Sequence, residues 1–224
     1  THETIALAFA ITEEAVEDNL YDRLSTRYTR ALARSMSNTK EVKGANILNN
    51  AFDSTFTFGD GKELCATDHP TVGGGNFRNE LTTSADLNET SLEQSLIDIA
   101  AFIDERGLLV AVQGRKLVIP PALQFVADRL MASTLRPGTA DNDINAIRNM
   151  GMLADGYTVN HYLTDTDAFF IKTDAPNGFK HFERSPVRTS MEGDFDTGNV
   201  RYKARERYSF GVSDPRCVFG SPGA

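Results

Sequence analysis

The sequence predicts an α+β fold, and three features predict it. A helical stripe runs through residues 12–36, an alternating run fills residues 200–212, and the stretch between them mixes short aliphatic runs with capped helical segments. In the first of these, Val16, Leu20, Leu24, Tyr28 and Leu32 recur every four residues, with no Gly or Pro to interrupt them. Glu13, Glu14, Glu17 and Asp18 crowd the first turns, while Arg27, Arg30 and Arg34 fall toward the end, the distribution the helix macrodipole favours. At 1.5 Å per residue this helix spans about 37 Å, longer than the core of a domain this size needs.

Gly59, Gly61 and the triplet Gly73, Gly74 and Gly75 bracket a polar stretch over residues 60–80, which reads as one or two long exposed loops and a candidate boundary. Thr90 and Glu93 then suggest a capping box. Leu92, Leu96, Ile99 and Ile103 supply an apolar stripe, and Gly107 the residue past the helix end. Residues 108–112 and 117–119 suit buried strands around a turn at 113–116. Pro120 and Pro121 end the second strand, and Pro121 can open a helix running to about Thr134. Asp141 or Asn142 can cap a shorter helix carrying Ile144 and Ile147 and ending at Gly151.

From Tyr157 the pattern changes to strands over residues 157–163, 168–173 and 179–184, with Asn177-Gly178 as hairpin chemistry. In the last run Val200, Tyr202, Ala204, Tyr208, Phe210 and Val212 alternate with Arg201, Lys203, Arg205, Arg207 and Ser209; only Glu206 breaks the apolar side. Thirteen residues at ~3.3 Å each reach about 43 Å, well beyond the usual strand.

With 224 residues, 40% apolar and 24% charged, the chain has the composition of one large globular domain or two closely joined ones. Its longest apolar stretch, Ile5 to Ile11, is far short of the ~20 residues of a membrane-spanning helix, so no membrane association is expected. The net charge of −8 disfavours bulk nucleic-acid binding, which calls for the opposite balance or a segregated basic face. Cys65 and Cys217 form no CxxC and support neither a disulfide framework nor a zinc site, and a reducing cytoplasm is favoured. The first residue is Thr1, and the sequence reads as a processed product or part of a longer precursor.

Candidate chemistry is sparse. Cys65, Asp68 and His69 could pair a thiol with a base, although catalytic Cys and His normally converge from distant positions, and a mobile loop explains them as well. Asp165/Asp167 and Asp194/Asp196 invite a metal reading, but turn chemistry accounts for both pairs. His2, His69, His161 and His181 show no metal-ligand spacing, and the glycine triplet lacks the context of a phosphate loop. The basic side of residues 200–212 reads as a solvated face or a contact with a neighbour's acidic residues. No catalytic residue, cofactor-binding residue or metal ligand is assigned.

Four segments carry a resemblance. They are Ala8-Phe9-Ala10-Ile11-Thr12-Glu13-Glu14-Ala15, Leu64-Cys65-Ala66-Thr67-Asp68-His69-Pro70, Val118-Ile119-Pro120-Pro121-Ala122-Leu123 and Gly178-Phe179-Lys180-His181-Phe182-Glu183-Arg184. Together with Arg201-Tyr202-Lys203-Ala204-Arg205-Glu206-Arg207-Tyr208-Ser209-Phe210-Gly211, and in this order, the chain resembles the major capsid (head) proteins of tailed bacteriophages. The resemblance implies the Hong Kong 97 type fold. Residues 1–49 would be the end of the extended loop and the peripheral domain with its spine helix, residues 50–184 the axial domain with a long loop, and residues 185–224 the return to the peripheral domain with its long strand. The amino-terminal arm and most of the extended loop have no match here, and neither partner of the family's Lys–Asn cross-link can be placed.

The implied function is self-assembly, as hexameric and pentameric capsomers, into the icosahedral shell of a virion enclosing double-stranded DNA. Assembly would take place in the host cytoplasm, with scaffold and portal proteins, and cement proteins in heads that carry them, as partners. A shell subunit needs elements longer than its own core requires, because neighbours complete its surface, and a negative subunit would repel packaged phosphates. The alternatives are an encapsulin-like compartment and, in another class, a soluble hydrolase using Cys65 and His69 or a carboxylate site.

Overall fold

A computed structural model of the chain describes residues 2–18, 20–136 and 143–224. In chain order these form β1 (Glu3–Ile11), α1 (Glu13–Glu17), α2 (Tyr21–Asn49), β2 (His69–Pro70), β3 (Asn76–Phe77), α3 (Glu89–Ala100), β4 (Gly114–Ile119), α4 (Gln124–Ala132), α5 (Ala146–Asn149), β5 (Tyr157–Val159), β6 (Phe169–Thr173), β7 (Phe179–Gly193), β8 (Val200–Val212) and β9 (Val218–Ser221). Single 3₁₀ turns occupy Pro121–Leu123 and Pro215–Cys217. The chain divides into two compact units, Thr1–Gly44 with His181–Gly211, and Ala45–Lys180 with Val212–Ala224.

In the first unit the apolar stretch near the amino end is strand β1, antiparallel to β8 with Glu3 opposite Tyr208 and Ile11 opposite Val200. The sheet order is β1-β8-β7. The period-two pattern of β8 holds: Ala204, Glu206 and Tyr208 are buried while Arg201, Lys203, Arg205 and Arg207 are exposed. Glu206 belongs on the inner side because Lys40 of α2 meets it there, with Nζ 2.9 Å from its carboxylate and 4.9 Å above the Tyr208 ring. Leu32, Met36 and Ala204 form the small core of this unit, flanked by Ile5 and Phe9. The Phe9 ring stacks on Tyr202 at 4.9 Å.

Three sequence expectations change here. The helix over residues 12–36 is two helices. Thr12 caps α1, accepting from the Ala15 N–H; at its far end Asp18 N–H bonds Glu14 and Leu20 N–H reaches back five residues to the Ala15 carbonyl, a helix-closing bond. A second helix restarts at Tyr21 and runs 29 residues, about 43 Å, so Arg27, Arg30 and Arg34 lie in its first half rather than near a carboxyl end. The apolar stripe enters the core only at Leu32, with Leu24 half-buried and Val16, Leu20 and Tyr28 exposed. Strand β7 runs on past Arg184 to Gly193, because β8 offers a partner along its length and Pro186 is tolerated on an edge strand.

The second unit is built on a four-stranded sheet of order β5-β4-β6-β9, in which β4 and β5 are parallel and the other pairs antiparallel. Leu92 and Ile99 of α3 pack with Leu117, Ile119, Phe169, Ile171 and Phe219 in its main core. The capping box of α3 sits two residues earlier than Thr90/Glu93: the Asn88 side chain accepts from Ser91 N–H at 2.8 Å and Ser91 Oγ accepts from Asn88 N–H at 3.0 Å. Phe102, not Ile103, is the buried residue past the helix end. Gly107, at φ +84°, belongs to a separate turn whose N–H groups the Asp104 carboxylate collects.

Leu108 and Leu109 are exposed and the expected strand over 108–112 does not form. The strand starts instead at Gly114, within the expected turn, where a side chain would strike Leu96 and Ile171 within about 3 Å. Pro121 opens a 3₁₀ turn into α4, as its fixed φ favours. Asp141 and Asn142 lie outside the described residues, and α5 is capped by Asn145, which accepts from Arg148 N–H. Ile147 is buried and Ile144 exposed. The strand over 157–163 contracts to Tyr157–Val159, ended by Asn160 accepting the Tyr162 N–H. Asn177, at φ +60°, makes the expected turn, but it joins strands of two different sheets and closes no hairpin.

Lys40→Ala would leave Glu206 buried without its cation. We expect a loss of about 3 kcal/mol in urea denaturation, while Lys203→Ala on the exposed side of β8 stays within ~0.5 kcal/mol.

Candidate functional site

The polar stretch over residues 60–80 is an exposed loop only in part: residues 72–76 are exposed, as expected, but the stretch also enters the interior. Leu64, Cys65, Ala66, His69, Phe77 and Asn79 are all buried in it, and the side chain of Asn79 explains how irregular backbone can lie inside. Its Nδ2 donates to the carbonyls of Leu64 (2.7 Å), Pro215 (3.0 Å) and Val218 (3.2 Å), and its Oδ1 accepts from Ala66 N–H at 2.9 Å. One amide therefore ties together four backbone groups from separate segments, sharing its two hydrogens among three carbonyls, of which Pro215 also accepts from the Val218 N–H of the 3₁₀ turn.

His69, 1% exposed, is held from both ends. Its Nδ1 lies 2.6 Å from Asp60 Oδ2 and its Nε2 lies 3.0 Å from Asn79 Oδ1. The ring stacks on Phe77 at 4.8 Å, and the Arg216 guanidinium covers Phe77 at 4.4 Å. Arg216 in turn donates to the Ile103 carbonyl, Glu105 and Asp214. Asp60, Phe77, Glu105, Asp214 and Arg216 line a cleft of about 640 Å³, and each of its charges has a partner, Asp60 in His69 and Arg216 in Glu105 and Asp214.

The catalytic candidates dissolve in this geometry. Both His69 nitrogens are occupied by oxygen partners and neither meets Cys65, whose thiol burial pushes well above its ordinary value. Burial pushes Cys217 up to about 12, so both thiols stay protonated and unreactive at neutral pH. Asp68 pairs with Lys62 at 2.6 Å. The hydrolase alternative loses its residues.

The other sequence candidates also resolve locally. Asp165 Oδ1 accepts from the Asp167 N–H at 3.0 Å, an Asx turn. Asp194 accepts from Thr197 Oγ1 at 2.7 Å and pairs with Arg201. Gly73 donates to the Glu105 carbonyl at 2.8 Å and has backbone 3.1 Å from where a Cβ would sit, so the triplet is a docking turn. His2 meets Ser209 Oγ at 3.1 Å and His181 packs on Phe210 at 4.9 Å. Among the described residues no three His, Cys, Asp or Glu side chains converge to hold a metal ion.

The feature that stays unfinished is a surface of the first unit. Leu7, Val16, Leu20, Tyr28, Phe182 and Met191 are exposed there, and Phe195 is fully exposed at the tip of the turn between β7 and β8. That turn is fixed by Asp194 N–H to the Asn199 carbonyl (2.8 Å) and Gly198 N–H to the Asp194 carbonyl (2.9 Å), so the aromatic is presented on a rigid tip. The basic row of β8 stands on the sheet's exposed side. Periodicity places Val16, Leu20 and Tyr28 on one stripe; that their own unit covers them only in part, Tyr28 against the Phe9 ring at 5.5 Å, is visible only in three dimensions.

Asn79→Ala would leave the Leu64 carbonyl and the Ala66 N–H without this side-chain partner and should cost about 3 kcal/mol in urea denaturation. A second test concerns Glu80, whose carboxyl burial pushes up to about 7, with the Glu63 charge adding. Such a group binds its proton more tightly folded than unfolded, so its contribution is greatest below about 4.5 and declines as pH rises through about 7. Glu80→Gln should therefore raise the denaturation midpoint at pH 8 and leave it unchanged at pH 4.

A family model described as phage capsid protein matches residues 1–220. Among solved structures, a chain of Mycobacterium phage Che8 is similar at 18% identity, over 99% of this chain and 72% of that one, with a TM-score of 0.55. The capsid of Myoviridae phage XM1 is similar at 11% identity, over 100% and 74%, with a TM-score of 0.54. The holo-SrpI encapsulin complex of Synechococcus elongatus PCC 7942 is similar at 8% identity, over 99% and 74%, with a TM-score of 0.55. No curated protein matches the chain.

Proposed function

This chain belongs to the phage capsid protein family, and we propose that its copies build the icosahedral head of a tailed bacteriophage around double-stranded DNA. It is a structural, non-enzymatic protein with the Hong Kong 97 type fold, a major capsid protein of the virion shell that associates with itself in capsomers. The observation that carries the reading is the family match over residues 1–220. The exposed apolar residues of α1 and α2 support it physically, since such residues in a row call for a partner.

In the finer reading the capsomers are hexamers and pentamers related by closed symmetry. The first unit takes the peripheral role, with α2 as the spine helix and β7–β8 as the long ribbon. The second unit takes the axial role at the capsomer centre. Scaffold and portal proteins, and cement proteins in heads that carry them, are further partners, and assembly takes place in the host cytoplasm. Function rests on association alone, with no catalytic, cofactor-binding or metal-ligating residue.

Electron microscopy of the purified full-length protein tests this. Closed shells are expected, and discrete monomers at high concentration would overturn it; shells filled with a cargo protein and no DNA would select an encapsulin-like compartment instead. Arg205→Glu, on the exposed side of β8, should leave the subunit folded and impair shell formation. Normal shells from that variant would remove the outer face of β8 from the interface.

A further inference from the structure

Helix α2 carries Arg23, Arg27, Arg30 and Arg34 at steps of four, three and four residues. At about 100° per residue these fall within a band of about 60° on one side, and Leu32, which enters the core, lies about 180° from Arg23. The four side chains thus form a ridge on the outermost face of the helix, about 16 Å long, and all four are exposed. No Asp or Glu falls between Arg23 and Arg34, and none of the four makes an ion pair or hydrogen bond among the described residues.

The isolated subunit gains nothing from this arrangement. Like charges three and four residues apart on a helix repel. Because α2 begins at Tyr21, Arg23 also sits in the first turn, where the macrodipole disfavours cations. The charges are segregated as well: the first unit has 12 Lys and Arg against 12 Asp and Glu, whereas the second has 11 against 19 and accounts for the entire −8. The overall negative balance therefore says nothing against an anionic partner for this ridge.

We propose that the arginine ridge of α2 is a contact surface for the phosphate backbone of the enclosed double-stranded DNA, an inference that rests on the reading of the chain as a DNA-enclosing shell protein. A duplex presents a charge about every 1.7 Å of its axis, so a row of four guanidinium groups finds phosphates in any register and without regard to sequence. A second copy of the chain fits less well. Its densest acidic cluster, Glu13, Glu14, Glu17 and Asp18, extends only about 7.5 Å along a helix, and Asp60, Glu89, Asp98, Glu105 and Asp214 are already paired.

The test uses unassembled full-length protein, a labelled 30-base-pair duplex of random sequence as probe, and fluorescence anisotropy across a salt series. The wild type should bind with a slope of log affinity against log salt of about −3.6, the value for four neutralised phosphates. The variant with Arg23, Arg27, Arg30 and Arg34 all changed to Gln should lose at least about tenfold in affinity and most of that slope. The corresponding Lys variant, which keeps the charges, should retain it. Absence of salt-dependent binding by the wild type, or equal binding and slope in the Gln variant, overturns the proposal. So does a Gln variant that still binds duplex but no longer forms shells, which would make the ridge a subunit contact. Wild-type protein that binds duplex yet never forms shells would sink the capsid reading while leaving the ridge intact.

Discussion

Length without enclosure is the constraint on which this protein depends. A 29-residue helix and a 13-residue strand are far longer than the core of Leu32, Met36 and Ala204 that they share, and the 15-residue β7 adds no residue to it. Apolar burial is the main favourable term in folding, and here part of it is left undone: Val16 of α1, Leu20 between the helices and Tyr28 of α2 stay exposed. Exposed apolar surface of this kind gives copies of the chain a physical reason to associate.

The few interactions inside the first unit are correspondingly specific. Glu206 would be an error on the inner side of β8 if Lys40 were not there to meet it, and the same ammonium rests over Tyr208. Buried charge pairs of this kind fix register more than they add stability. A one-residue slip of β8 would send Glu206 to solvent and turn Arg205 inward.

The second unit solves a different problem. Its sheet and helices form a well-filled core, and the long irregular segment beside it is tied down by Asn79, His69 and Arg216. The three polar side chains do what backbone ladders do elsewhere. They turn a segment with the composition of a flexible loop into part of the interior, which is why residues that looked like a reactive cluster are structural ties. The same segregation separates the charges: the acidic surplus lies in this unit, and the unpaired arginines lie on the helix of the other.

By itself the sequence determined what period and local chemistry can express. The alternation of residues 200–212, the odd carboxylate at Glu206, the opening of a helical turn at Pro121, the strand at residues 117–119 and the existence of a long helix near the amino end were all legible, because each depends on neighbours a few residues apart. The tertiary structure alone decided the rest. It set the break between α1 and α2, the extension of β7 along β8 and the burial of Leu64, Cys65, Ala66, His69 and Phe77 around Asn79, whereas the α3 cap is local chemistry that the sequence carries in Asn88 and Ser91 beside Thr90 and Glu93. Asn79 is a lone polar residue with no periodic signal, and its partners at Leu64, Pro215 and Val218 come from segments up to 139 residues away. Burial is a property of what packs across such distances, and no local pattern carries it.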